Sequence, residues 1–466
     1  MHHARSPLSL SALAHLIPTA LAVWLLGPPS ACTAAPLTLA AVQPSPITLR
    51  ITPVGSIAPT NATSPFPLGG GLVLIDQNGA LTWRSPLGIS LPLLSATGTP
   101  QGLSLVGEKI LNAATNAEGN TVYVTFTSAT APPGTPISTS PRGNADAYQV
   151  VYRYNFDGTA LSSPTPLRAF EVYRDGHTGG GMLVAPDGTL ILAFGDNGDA
   201  GEDGRAFAQD DVSHLSKLVK LDPETGVTTI LAKGVRNPQR LAVSTYDGID
   251  YLSFVDIGGS VAEELDLLSL ASLLNTQDIE NFGWGRSSLD GHAREGTFYI
   301  NSAGAYLADA PISEAGYIQP FAQWGREGAT FFAGTGPAAC SNLNSVDYLF
   351  GDLSSGRLYG TTGGEPGGTP DPVYQINLVD QFLTQTSLTT LASGRPDPRF
   401  FCYGNGKAGV LLEATGAYFL LEDLEPASAL PEPGSLWLSA APAVWILIRK
   451  PKGSPTQRKH NENTSD

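Results

Sequence analysis

The sequence predicts an all-β fold: a six-bladed β-propeller with four-stranded blades. Three observations carry that expectation. Short alternating or β-rich runs recur along the chain, among them GLVLID, NTVYVTFTS, YQVVYRYNF, TLILAFG, SKLVKLD, DYLSFVD, DYLFGDL and GVLLEAT. Turn dipeptides separate them, at Asn78-Gly79, Asp157-Gly158, Asp187-Gly188, Asp247-Gly248, Ser355-Gly356 and Asn405-Gly406. Gly and Asn tolerate the positive φ of tight hairpins, so these pairs read as strand connections. The third observation is length. A sandwich of about 100 residues cannot absorb the central part of a 466-residue chain, whereas six blades of about 65 residues each fill residues 45–422.

The elements follow in order. Leu10 to Leu26 is apolar, begins after His2, His3 and Arg5, and is followed by small residues from Ala31 to Ala35. That is the layout of a secretory signal over residues 1–35, so export is expected and this stretch is left out of fold reasoning. A lipidated Cys32 is the alternative, with Pro29 a poor match three residues before it. Residues 129–146 and 361–372 are rich in Pro, Gly, Ser and Thr and read as loops at blade edges. The spacing in AEELDLLSLASLLNT, residues 262–276, predicts a helix.

Composition narrows the function. The net charge is −16, which argues against nucleic acid as a partner, since phosphate binding needs basic residues. Once the signal and its Cys32 are gone, Cys340 and Cys402 remain. In an exported chain they are expected to form a disulfide, with two separate buried thiols as the alternative.

The C-terminal part, 423–466, has its own pattern. Pro431-Glu432-Pro433 precedes the apolar run Gly434 to Ile448, then Arg449-Lys450-Pro451-Lys452. This resembles the PEP-CTERM sorting signal of Gram-negative bacteria, read by an exosortase. The resemblance implies an exosortase-type processing partner, contact with the membrane only through this segment before processing, and a final place in the periplasm, at the outer surface or in the extracellular matrix. Pro442 interrupts the run, which is shorter than the roughly 20 residues of a comfortable span.

A second resemblance lies within the propeller. His177-Thr178-Gly179-Gly180, Pro186-Asp187-Gly188 and Gly195-Asp196 follow one another. After them come Gly234-Val235-Arg236-Asn237-Pro238-Gln239, then Asp256-Ile257-Gly258-Gly259 with Glu264-Leu265-Asp266-Leu267, then Asn281-Phe282-Gly283-Trp284. In this order the motifs resemble the soluble glucose/sorbosone (aldose sugar) dehydrogenases, six-bladed propellers that use pyrroloquinoline quinone (PQQ) and calcium. The resemblance implies an oxidoreductase acting on a sugar hydroxyl, with His177 as base and Arg236 stabilising charge on the quinone. It also implies cofactor contacts from Gln101, Arg236, Asn237, Arg395 and Arg399, and calcium held by the backbone of Gly258 and Gly259.

Read on their own chemistry, these residues suit such roles. Histidine has a pKa near operating pH and so serves as a proton acceptor; an ordinary turn histidine is the alternative. Arginine offers planar donors for quinone and carboxylate oxygens; an ion pair between blades is the alternative. Asp196, Asn197, Asp199, Glu202 and Asp203 offer oxygens that an irregular calcium loop could use, or form a solvated turn. The chain departs from the family at Gly181, Ile257 and Gly259, and has no lysine between Lys233 and Lys407. Two other functions therefore stay open: a cofactor-free propeller that binds carbohydrate or protein in the matrix, and a calcium-dependent lactonase or hydrolase.

Overall fold

A computed structural model describes residues 42–56, 62–95, 100, 102–141, 143–173, 176–197, 207–259, 261–275, 277–286, 293–300, 306–309, 316–325, 334–338, 340–362 and 371–424. Gln101, Asp199, Glu202, Asp203, His292, the signal segment and the sorting segment from residue 425 on lie outside them. No helix among the described residues is long and apolar enough to cross a membrane.

The described chain is almost entirely β. Antiparallel meanders begin with the strands Ala62–Leu68, Leu105–Thr115, Gly179–Val184, Pro238–Tyr246, Gly334–Ala338 and Pro398–Cys402. Each of these first strands touches the next in that order, and the last touches the first again. The cycle is a propeller-like arrangement of sheets around an axis lined by first strands. Apolar side chains on facing sheets fill the space between neighbours. Leu183, Ile191 and Leu218 of one sheet meet Leu252 and Phe254 of the next. Burying each such side chain contributes about 1.5–3 kcal/mol.

Two features differ from a set of separate four-stranded blades. The strand Gln43–Ser56 pairs antiparallel with Ala417–Asp423 and parallel with Tyr374–Val379, which merges two meanders into one nine-stranded sheet. One N-terminal strand thus completes the C-terminal meander while also docking on its neighbour. In addition, a small four-stranded sheet from Gly285–Arg286 to Tyr306–Asp309 is inserted between Ala262–Ser269 and Ala322–Gly325.

The helix predicted over 262–276 is also corrected. Ala262–Ser269 is a strand, and only Leu270–Asn275 is helical. The strand is flanked on both edges, by Ile249–Asp256 and Ala322–Gly325. Its residues from Ala262 to Leu267 are all buried, a run that spacing alone does not separate from a buried helix. Cys340 and Cys402 are bonded and tie together the ends of two neighbouring first strands.

Candidate active site

His177 lies just before the strand Gly179–Val184, and Asp196 just after its partner Leu190–Phe194. Across this hairpin Val184 faces Leu190 and Met182 faces Leu192, but Gly179 faces Phe194. The pairing has slipped by one residue within the glycines. Continued by two more residues, the slipped register sets His177 opposite Asp196. Gly179 and Gly180 take φ of +71° and +96° to make the irregularity. A Cβ on Gly179 would lie 2.5 Å from the Ala193 carbonyl oxygen, so the backbones approach too closely for any other residue. His177 itself takes φ of 49°, and its carbonyl accepts the Asn197 N–H at 3.1 Å.

The next meander repeats the device. Pro238 faces Asp256 after a register shift before Leu241. The Asp256 carboxylate accepts the N–H groups of Arg236 at 2.7 Å and Asn237 at 2.6 Å, which fixes the loop ahead of the strand. Asn237 in turn accepts the Gly179 N–H through Oδ1 at 3.1 Å. The Asp196 N–H donates to the Arg236 carbonyl at 2.8 Å. The two loops are thus stitched to each other, and their side chains converge.

What converges is a chain of polar contacts. His177 Nδ1 is 3.0 Å from Asp196 Oδ1, and His177 Nε2 is 3.2 Å from Arg236 Nη2. A guanidinium can only donate, so Nε2 is an acceptor, and Nδ1 then carries the proton and donates it to Asp196. The imidazole is the neutral Nδ1–H tautomer with its Nε2 lone pair on the Arg236 side. Asp196 is 2% exposed whereas His177 is 29% exposed. The carboxylate is therefore a sealed orienting group and the ring is reachable. Trp284 Nε1 donates to Asp196 Oδ2 at 3.2 Å, and the Arg236 guanidinium lies 5.3 Å from the Trp284 ring centre. Arg236 Nη1 also donates to the Ile257 carbonyl at 2.7 Å. Trp284 is itself buried and serves this cluster through its indole N–H.

The other described histidine of this part of the chain is built differently. His214 is buried against Phe170 and Phe194, and burial pushes its pKa down to about 4. One ring nitrogen, Nε2, lies 2.7 Å from the Glu171 carbonyl.

The remaining predicted residues divide. Arg399 borders a small cavity at the head of the axial tunnel, together with Thr178, Gly179 and Gln239. It donates to Gln239 at 3.1 Å and pairs with Asp397 at 3.0 Å and Glu413 at 2.8 Å. Arg395 is 62% exposed and lies 3.7 Å from Asp397. Asn237 is buried and its Oδ1 is engaged by Gly179, which makes it a positioning group.

The calcium expectation fares differently. Asp196, expected above as a calcium ligand, has its carboxylate engaged by His177 and Trp284. The Gly258 N–H donates to Glu263 at 3.3 Å, and Glu295 accepts the N–H groups of Val261 and Ala262 at 2.6 and 2.7 Å. Gly258 and Gly259 are glycine because of close approach: a Cβ there would meet the Ala262 carbonyl oxygen at 1.6 Å or Glu295 at 3.0 Å. No group of three His, Cys, Asp or Glu able to hold a metal ion occurs among the described residues. Among the described residues the side chains do not assemble a calcium site, and no chemistry is derived through one.

Comparison with known proteins agrees on architecture. No protein-family model matches the chain. The HIPL2 protein of Arabidopsis thaliana is 29% identical over 175 residues, 29% of this chain; the match covers 24% of that protein's length. Among solved structures, a PQQ-bound aldose sugar dehydrogenase from Streptomyces coelicolor is similar with a TM-score of 0.52 and 18% identity, covering 81% of this chain and 99% of that one. A glucose dehydrogenase-type oxidoreductase from Thermus thermophilus gives 0.53 and 18%, covering 80% and 99%. A family AA12 carbohydrate-active enzyme from Trichoderma reesei gives 0.53 and 14%, covering 84% and 99%. At these identities the likeness is one of fold.

Proposed function

We propose that the chain is an exported quinoprotein-like oxidoreductase that oxidises an aldose or other sugar hydroxyl with PQQ. The observation that carries this reading is the Asp196–His177–Arg236 array. It places a neutral, partly exposed imidazole between a buried carboxylate and a guanidinium. The proposal includes a six-blade count, taken by reading the nine-stranded sheet as two blades and the 285–309 sheet as an insertion. The likeness in fold to a PQQ-bound aldose sugar dehydrogenase supports the substrate class and cofactor. The PEP-CTERM-like tail supports sorting to the cell surface or matrix.

The donor set fits an anionic, oxygen-rich cofactor. Arg236 lies at the mouth. Arg236 would hold PQQ, with Asn237 setting the loop that carries it. When bound, the quinone supplies the acceptor for the two electrons and the hydrogen leaving the substrate carbon.

The chain's own residues supply the proton chemistry. A sugar hydroxyl that replaces Arg236 at His177 Nε2 meets the lone pair directly, and its proton passes to that nitrogen. The ring then carries a positive charge, which the sealed Asp196 carboxylate stabilises through Nδ1–H. Trp284 and the His177 ring keep both Asp196 oxygens occupied, so the carboxylate cannot rotate away. The displaced Arg236 guanidinium stays beside the site, where it stabilises negative charge on the oxygen that loses its proton.

The test is reconstitution of the purified chain with PQQ, followed by absorbance and by aldose-dependent dye reduction. His177→Ala is expected to bind PQQ within about threefold of wild type and to lose roughly 100-fold or more in turnover. An unchanged turnover rejects His177 as the base. A wild-type chain that does not bind PQQ rejects the quinoprotein reading and favours the cofactor-free binding propeller.

A further inference from the structure

The cavity at the axial tunnel head sets an arginine without an ion pair beside one that has two. It is about 60 Å³ in volume and is lined in part by Thr63, Gln77, Glu108, Gln239, Arg240 and Arg399. Two of these are arginines, and they are in different situations. Arg399 is ion-paired with Asp397 and Glu413, and Glu108 adds to the negative field around it. Arg240, the residue after Gln239, has no hydrogen bond or ion pair among the described residues, and its Nε is sealed from solvent without a partner there. Burial lowers its pKa to about 10, and no described carboxylate offsets that shift. A guanidinium does not discharge under ordinary conditions. Arg240 is only half-buried, so its remaining N–H groups are open to the cavity, where a compact anion can meet them.

The neighbouring polar groups complete a recess for such an ion. Gln239 Oε1 accepts from Arg399 Nη1. Because arginine can only donate, that contact fixes the amide's orientation and leaves its N–H groups as donors. The Thr63 and Gln77 side chains add further polar groups to the wall. The volume excludes a multi-ring cofactor, since pockets for drug-sized ligands run to about 300 Å³ and more. It admits one compact anionic group.

We propose that the tunnel head, between Arg240, Gln239 and Arg399, binds a compact anion of halide or carboxylate size. The site is next to the His177 mouth but uses none of the proton-transfer residues, and it does not depend on the quinoprotein reading.

The experiment is a thermal melt of the full chain at constant ionic strength, with gluconate replaced stepwise by chloride or by formate. Gluconate is too large for the cavity; chloride and formate test the halide and carboxylate sources separately. Wild type is expected to gain about 2 °C in Tm at saturation with the smaller anion it selects. Arg240→Met is expected to show a flat response. An equal response in Arg240→Met, or none in wild type, overturns the proposal. Because Arg240→Met changes packing as well as charge, crystals of wild type soaked in bromide give an independent measurement. An anomalous peak in the tunnel within about 3.5 Å of Arg240 supports the site. Peaks only elsewhere overturn the halide arm, and a flat formate melt overturns the carboxylate arm.

Discussion

Asp196 determines what His177 can do. Its carboxylate holds the Nδ1 proton, and so leaves Nε2 as the basic nitrogen on the reachable side. Asp196→Asn presents an amide that either donates or accepts toward Nδ1. In the donating orientation it forces the proton to Nε2 and removes the base. The expected outcome is a turnover lower by roughly 100-fold or more, with PQQ binding largely kept. A pH–rate profile and a PQQ titration on the same preparation check it, and turnover within about tenfold of wild type would reject the orienting role. His177, Arg236 and Asn237 were legible in the sequence because they sit in short ordered motifs. Asp196 was legible as a residue of interest but not in its role. A hairpin counted from the Asp187-Gly188 turn without a slip sets His177 opposite Asn197. Only the one-residue register shift at the glycines brings Asp196 there, and a glycine run signals such a shift without giving its size.

At the scale of elements, the first strands carry the design. At His177, Arg236 and Asn237 the residues just ahead of a first strand present the functional side chains. The two loops that matter are each fixed by a carboxylate at the end of the adjacent strand, Asp196 or Asp256. Strands and turns were readable because Gly and Asn punctuate them. The parallel docking of Gln43–Ser56 on Tyr374–Val379 was not, since it joins segments far apart in the chain and no local pattern encodes it. The error at 262–276 has a related cause: a fully buried strand and a buried helix share an apolar run. The Cys340–Cys402 bond was legible by counting. It closes a sequence separation of 62 between two first strands. The double variant Cys340→Ala/Cys402→Ala is expected to lose about 4 kcal/mol of stability in the chain-entropy description. Urea denaturation under non-reducing conditions measures it. A loss below about 1 kcal/mol would show that strand pairing already constrains this closure.

The whole molecule carries an acidic charge, and part of that charge is buried beneath the site. Asp256, Glu264 and Asp266 lie within one meander and are 4%, 7% and 1% exposed. Burial pushes the Asp256 carboxyl up to about 7, against the two N–H donors that favour its charged form. Glu264 and Asp266 are also raised by burial, and by repulsion from their neighbours. Both Asp266 oxygens are sealed without a hydrogen-bond partner among the described residues. For each group the folded pKa exceeds the unfolded value near about 4. Between about pH 4 and 7 the folded state therefore holds more protons than the unfolded state, and stability rises as pH falls through that window. His214 opposes this. Its folded pKa of about 4 lies below the unfolded 6.5, so it withdraws stability as pH falls from 6.5 to 4. Lys217, lowered by burial to about 7, titrates above the window. Asp397 is likewise pushed up by burial to about 7, so four carboxyls against one histidine, each acting with a slope of about 1.4 kcal/mol per pH unit, leave a net gain on acidification. The melting temperature is expected to be several degrees higher at about pH 5 than at about pH 7 at constant ionic strength. Asp266→Asn removes one titrating group and supplies donors to the carboxylates beside it. It should raise Tm at neutral pH and flatten the pH dependence by about one group's slope. Calorimetry of both proteins across this range decides. A wild-type Tm that falls on acidification, or an Asp266→Asn slope equal to wild type, would show that the buried carboxyls stay charged in the folded state.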